Sequence, residues 1–126
     1  RALLADVING RPMDLIHAHG TGTVANDAME LSAIEDCVSA VGKMRPAVYS
    51  HKGALGHSLG AAGLVSVVMN RMMHQRGVVP PGLGENLMAT KRVELNQVAS
   101  RRKVRRSMVI AAGFGGATGV VSLIKK

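Results

Sequence analysis

Met13-Asp14-Leu15-Ile16-His17-Ala18-His19-Gly20-Thr21-Gly22-Thr23 is the stretch on which the fold turns. Its first six residues are short and largely apolar, bounded upstream by the turn Asn9-Gly10-Arg11-Pro12, as a strand buried in a sheet requires. The run predicts a strand that delivers His19 to its end, then a flexible polar loop. A helix follows through Glu30, Leu31, Ile34, Val38 and Val41, capped by Asn26 or Asp27 and stopped by Gly42. The arrangement recurs: Pro46 to Ser50 reads as a second short strand, and Gly53 and Gly56 lead into a helix from about Ser58 to Arg76. A second histidine, His57, therefore stands at a turn.

The flanks extend this pattern. Ala2 to Ile8 looks like the end of an amphipathic helix, so the chain is read as beginning inside a larger fold. Pro80-Pro81 and residues 82–86 predict an irregular connection, followed by a polar, basic surface stretch to Arg106. Ser107 to Ala112 and Val120 to Ile124 predict an antiparallel hairpin around a glycine-rich loop. Alternating helices and strands closed by a hairpin predict an α/β fold with a mixed sheet, in one domain over residues 1–126.

Composition narrows the classes. A chain of 126 residues is short for a two-domain enzyme, and with one Phe, one Tyr and no Trp its core must be aliphatic. The formal charge of +8 sits largely in Arg101, Arg102, Lys103, Arg105 and Arg106 and favours an acidic partner, although a solvated basic loop is the plainer reading. Nucleic acid is not expected, because the aromatic residues of single-strand binders and any zinc-finger or basic-zipper pattern are missing. The lone Cys37 cannot form an internal disulfide and fits a reducing compartment. It lies mid-helix beside Ile34, Val38 and Val41 and reads as a buried apolar side chain. No export signal is visible, and the apolar stretch from Leu59 to Met73 is interrupted by Ser66, Asn70 and Arg71, so a buried helix is expected rather than a membrane span. A cytoplasmic protein is expected.

His19 and His57 both stand at strand-to-helix junctions, and loops at the carboxyl ends of neighbouring strands meet in one crevice, so the two imidazoles can converge. Strand alternation would also place His17 on the face of His19, but His17 reads as a residue within the strand. His51 should point away from Lys52, and His74 needs no special role. The run Gly60-Ala61-Ala62-Gly63 is a poor helix former, which points to close approach of another backbone.

These segments resemble the C-terminal half of the β-ketoacyl synthases, condensing enzymes with a thiolase-like layered fold. The resemblance is carried in order by His19-Gly20-Thr21-Gly22-Thr23, Asp27 with Glu30, Lys52, Gly56-His57 before a small-residue helix, and Gly113-Phe114-Gly115-Gly116. It implies decarboxylative Claisen condensation of acyl and malonyl thioesters in fatty-acid or polyketide synthesis. His19 and His57 would donate hydrogen bonds to the enolate oxygen, and Lys52 would orient the site. Phe114, Thr21 and Thr23 would shape the substrate gate and channel, although Phe114 could equally plug the core. Asp27 and Glu30 would support the structure, and a helix N-terminus favours both carboxylates. The implied partners are acyl carrier protein, the N-terminal half of the synthase and a second subunit in a homodimer or heterodimer. No cofactor and no metal are implied.

The sequence also departs from that pattern. The nucleophilic cysteine has no counterpart here, so the chain alone is not expected to condense anything. Asn26 stands where a Gly often precedes the Asp, and Ser66 stands near the place of a Glu that pairs with the lysine in many relatives. The terminal loop lacks its first aromatic residue and its Asn. The alternative reading is a non-catalytic partner or scaffold that keeps the fold. Thiolases share the fold, but their second cysteine near the C-terminal loop is missing here.

Overall fold

The computed structural model describes residues 1–42, 45–82 and 90–125. The elements are α1 (Ala2–Ile8), β1 (Leu15–His17), α2 (Val24–Ser39), β2 (Ala47–Tyr49), α3 (Lys52–Leu55), α4 (Ala62–Arg76), β3 (Val78–Val79), β4 (Glu94–Leu95), β5 (Ser100–Arg101), β6 (Arg106–Ala112) and β7 (Thr118–Ile124). Five strands form one sheet in the order β4-β2-β1-β6-β7, with β1 parallel to β2 and β6, and β7 antiparallel to β6. The sheet is mixed, as the alternation and terminal hairpin predict. The irregular connection expected over 82–86 lies, apart from Gly82, outside the described residues.

Every residue of β1 and β2 is buried, because helices cover both faces of this part of the sheet. On one face Ile16, Ala18, Val48, Met108 and Ile110 meet Leu4 and Ile8 of α1 and Leu31, Ile34, Cys37 and Val38 of α2. On the other, Leu15, Ala47 and Tyr49 pack with Met73 of α4, Val79 and Val104. Cys37 is buried in the first cluster, as its apolar neighbours require.

Three readings change. The helix expected to be capped at Asn26 or Asp27 starts at Val24 with Thr23 as its N-cap, and the Asp27 side chain is drawn instead to loop amides. The helix expected from Ser58 begins with a 3₁₀ turn at Leu59–Ala61 before α4 proper. The basic stretch before residue 106 is not simply surface, since Val93, Asn96 and Val104 are buried and β4 joins the main sheet.

The sheet-facing stripe of α4 carries Ala62, Ser66, Asn70, Met73 and His74, while Leu64 and Val68 face outward. The buried side of this helix is thus largely polar, the inverse of ordinary amphipathic patterning. His74 has a structural duty, its Nε2 lying 2.6 Å from Ser107 Oγ, and Asn70 Nδ2 donates to the same oxygen at 3.1 Å.

Two arginines of the basic run are structural ties. Arg106 donates to the carbonyls of Val7 and Ile8 at the C-terminal end of α1 and of Arg11 in the following turn, at 2.7, 2.9 and 2.9 Å. Arg102 pairs with Glu94 and donates to the Asp14 carbonyl at 3.2 Å. Arg106→Ala is expected to lower unfolding stability by about 2–3 kcal/mol, the scale of charged hydrogen bonds lost from a partly buried site. Arg105→Ala, at an exposed position, should change stability by less than about 0.5 kcal/mol. Urea denaturation of both variants checks the contrast.

Candidate active site

The loop after β1 is held by two carboxylates one helical turn apart on α2. Glu30 Oε1 accepts from the His19 amide at 2.7 Å and Oε2 from Gly20 at 2.9 Å. Asp27 Oδ1 accepts from Thr21 at 3.1 Å and Oδ2 from Gly22 at 3.0 Å. Four consecutive amides are thereby paired in order, a concave loop fitted to anionic acceptors. Burial raises the Glu30 pKa, and the bonds from Gly20 and His19 work against that rise.

Lys52 grips the same loop from the other side. It is the first residue of α3, it is buried, and its Nζ donates to the His19 carbonyl. Burial lowers its pKa, opposed by Glu30 and Asp27. The His19 backbone therefore runs between a carboxylate on its N–H and an ammonium on its C=O.

The imidazoles of His19 and His57 face each other with centroids 5.6 Å apart and planes at 79°. Nδ1 of His19 accepts from the Ala112 amide at 3.2 Å, and Nδ1 of His57 from the Leu59 amide at 3.0 Å. A nitrogen that accepts carries no proton, so these bonds assign each neutral ring its proton on Nε2. Leu59 adopts a left-handed φ of 47°, unusual for a branched residue, at the turn that presents its N–H to His57. His19 is buried, and its pKa is lowered by burial first and then by Lys52 and His57, with Asp27 opposing. It stays a neutral donor below the ordinary histidine range.

His19, Lys52 and His57 line one cleft of about 460 Å³ with Ser66, Ala112 and Gly113. Ser66 is the cleft residue that sequence reasoning passed over as a departure. The remaining candidates lie outside this lining. Phe114 is fully exposed on the Phe114–Gly116 turn, so it does not plug the core. Thr21 and Thr23 sit at the rim of the loop with their hydroxyls 3.2 Å apart. Close approach in the small-residue run is confined to Gly63, whose added Cβ would lie 3.5 Å from Ala111 Cβ, and to buried Ala62, whereas Gly60 has open space. No three His, Cys, Asp or Glu side chains converge as a metal ligand set among the described residues.

The profile of the family described as "Beta-ketoacyl synthase, C-terminal domain" matches residues 1–85. The chain belongs to this family. It is similar to 3-oxoacyl-[acyl-carrier-protein] synthase 1 of Escherichia coli K12, with 31% identity over 116 residues that cover 90% of the chain and 28% of the relative. It is also similar to the actinorhodin polyketide putative beta-ketoacyl synthase 1 of Streptomyces coelicolor, with 36% identity over 108 residues, 82% of the chain and 22% of the relative. The ketosynthase from module 6 of the Bacillus subtilis bacillaene synthase superposes with a TM-score of 0.86 at 20% identity, covering 95% of the chain and 24% of that structure. That likeness establishes the thiolase-like fold, and the chain spans about a quarter of the length of these relatives. No helix among the described residues is long and apolar enough to cross a membrane.

Two outcomes test the site. Gly20 has a φ of 40°, and a Cβ there would fall 2.7 Å from Ser50 Cβ and 2.9 Å from Ser50 Oγ. Gly20→Ala should therefore cost about 2 kcal/mol or more in thermal unfolding, combining left-handed strain with overpacking. Lys52→Met removes a positive charge that depresses the His19 pKa. Nitrogen-15 NMR should show His19 taking up its proton at a higher pH in that variant.

Proposed function

We propose that residues 1–126 form a C-terminal part of a ketosynthase that performs decarboxylative condensation, with the nucleophilic cysteine supplied from outside this chain. The observation that carries this reading is the tautomer pair: both Nδ1 atoms accept backbone N–H groups, leaving two Nε2–H donors on facing rings. In this reading both donors address one thioester oxygen. As the carbon–carboxylate bond of a malonyl thioester breaks, its electron pair moves onto that oxygen as an enolate and CO₂ departs. The enolate carbon then attacks the acyl-cysteine carbonyl, and the cysteine leaves as thiolate. Neutral imidazoles suit this task because they donate without needing to lose a proton.

Lys52 would orient His19 through its carbonyl and help keep the ring neutral, while Asp27 and Glu30 hold the loop. Phe114, exposed on its turn, and the threonines at the loop rim are proposed as parts of the acyl entrance completed by the remainder of the synthase. The substrate carrier would be acyl carrier protein, named in the E. coli relative. Arg105 and Arg106 stand at the opposite end of β6 from Ala112 and Gly113 at the cleft, so the basic cluster does not mark the cleft mouth. The pathway, fatty-acid or polyketide, would be set by the acyl chamber outside these residues.

In the native protein that carries this chain, His19→Ala and His57→Ala should each lower kcat for malonyl-thioester decarboxylation by about 10²–10³-fold, the effect of deleting one oxyanion donor. Stopped-flow measurement of CO₂ release checks this. Undiminished rates in both variants would instead assign the chain to a partner subunit without chemistry.

A further inference from the structure

The polar face of α4 covers a second histidine pair beneath the cleft. His17 ends β1, and His51 lies two residues past β2; both are wholly buried. His17 Nε2 and His51 Nδ1 are 3.0 Å apart, with the ring centroids at 5.2 Å and the planes at 63°. His17 precedes His19 by two residues. His51 immediately precedes Lys52, and its carbonyl accepts the amides of Ala54 and Leu55 at 3.0 and 2.9 Å, opening the turn that carries Lys52 to the His19 carbonyl. From α4, Ser66 Oγ lies 3.4 Å from His51 Nδ1.

We propose that the His17–His51 hydrogen bond is a positioning device that ties the end of β1 to the exit of β2 beneath the cleft, keeping His19 and Lys52 in register. The proposal rests on the condensing reading of the site and assigns His17 and His51 as positioning residues that touch no reacting atom. Two parallel strands of three residues leave their exits few ties: Ala18 N donates to Tyr49 O at 2.8 Å, Ser50 Oγ to Gly20 O at 3.0 Å, and Lys52 Nζ to the His19 carbonyl. The histidine bond adds a fourth tie, made by side chains inside the core, where partner loss is costly because the surviving polar atom stays buried.

In this bond one nitrogen donates and the other accepts, so the accepting ring must be unprotonated. The groups facing His17 are His51, the Tyr49 ring edge, Asn70 and Lys52; those facing His51 are His17, Ser66, Lys52 and His57. None of them is a carboxylate, and only the Asn70 side chain works in favour of a proton on His17. Burial is the leading cause that lowers both pKa values, and together with the neighbouring His51 and Lys52 it brings His17 to about 3. Unfolded His17 binds its proton below the ordinary value of 6.5, whereas folded His17 does not until about pH 3. Its contribution to stability is thus complete above pH 6.5 and is lost as pH falls toward 3.

The test is made in the native protein with two matched pairs of variants. An Asn amide reproduces the position of Nδ1 and a Gln amide that of Nε2, so His51→Asn and His17→Gln can keep the bond, whereas His51→Leu and His17→Leu fill the space without it. The leucine variants should lower kcat for decarboxylation by about tenfold with KM within about twofold, and the amide variants should stay within about threefold of wild type. Nitrogen-15 spectra should show a shifted His19 ring in the leucine variants only. Melting temperature should fall less steeply between pH 6.5 and 4 in His17→Gln than in wild type. The proposal is overturned if folded His17→Leu keeps the wild-type kcat and His19 spectrum, or if His17→Gln is as impaired as His17→Leu. Should the leucine variants fail to fold, the amide variants and the pH slope of stability still decide it. The spectra and melting curves do not depend on turnover, so they judge the pair even where His19→Ala and His57→Ala show that the condensing reading fails.

Discussion

Glu30 accepting the consecutive amides of His19 and Gly20 is the constraint from which the rest of the site follows. A half-buried carboxylate is costly unless hydrogen bonds replace the water it loses, and the loop supplies those bonds from main-chain groups that would otherwise be unpaired beside the core. The cost and the bonds act on one residue: burial raises the Glu30 pKa, while the amides and Lys52 hold it down. Asp27, one turn earlier on α2, completes the clamp with Thr21 and Gly22. With all four amides committed, the loop has little freedom to rotate the His19 ring out of the cleft.

The clamp also links charge to protonation. Lys52 is pressed against the His19 carbonyl by the α3 turn, and its charge is balanced mainly by Glu30 and Asp27 behind the same peptide. Among the described residues that line it, the cleft holds a cation close to His19 and no carboxylate, and this proximity helps keep the imidazole neutral. The second ring is set more locally. His57 is exposed, and its orientation depends on the Leu59 amide, presented by a left-handed backbone at the entry to α4. One imidazole is thus fixed by the core and the other by a strained turn, an arrangement in which further contacts to His57 would bear directly on its geometry.

α4 carries a different lesson about packing. Its inward stripe of Ser66, Asn70 and His74 finds polar partners on His51, Ser107 and the Met108 carbonyl, while Leu64 and Val68 face outward. Inverted polarity of this kind makes the helix a poor reporter of its own orientation. It also explains why His17, His51 and His74, which local sequence treats as bystanders, end up buried and hydrogen-bonded.

Local chemistry was sufficient to read the α/β class, the mixed sheet with its terminal hairpin, and the placement of His19 at the exit of a strand, whereas the short helix α3 comes between β2 and His57. Each depends on short-range rules: buried strand runs, glycine turns and the parallel exits of neighbouring strands. The supporting role of Asp27 and Glu30 was legible as well, although the expected helix-terminus effect proved to be a set of direct bonds to loop amides. What only the tertiary structure decided were the pairings across long sequence separations: Ala112 on His19, Arg106 on the end of α1, His17 on His51, and the burial of Val93, Asn96 and Val104 within a basic stretch. Those contacts depend on where the sheet brings distant segments together, and neither residue type nor periodicity encodes that distance.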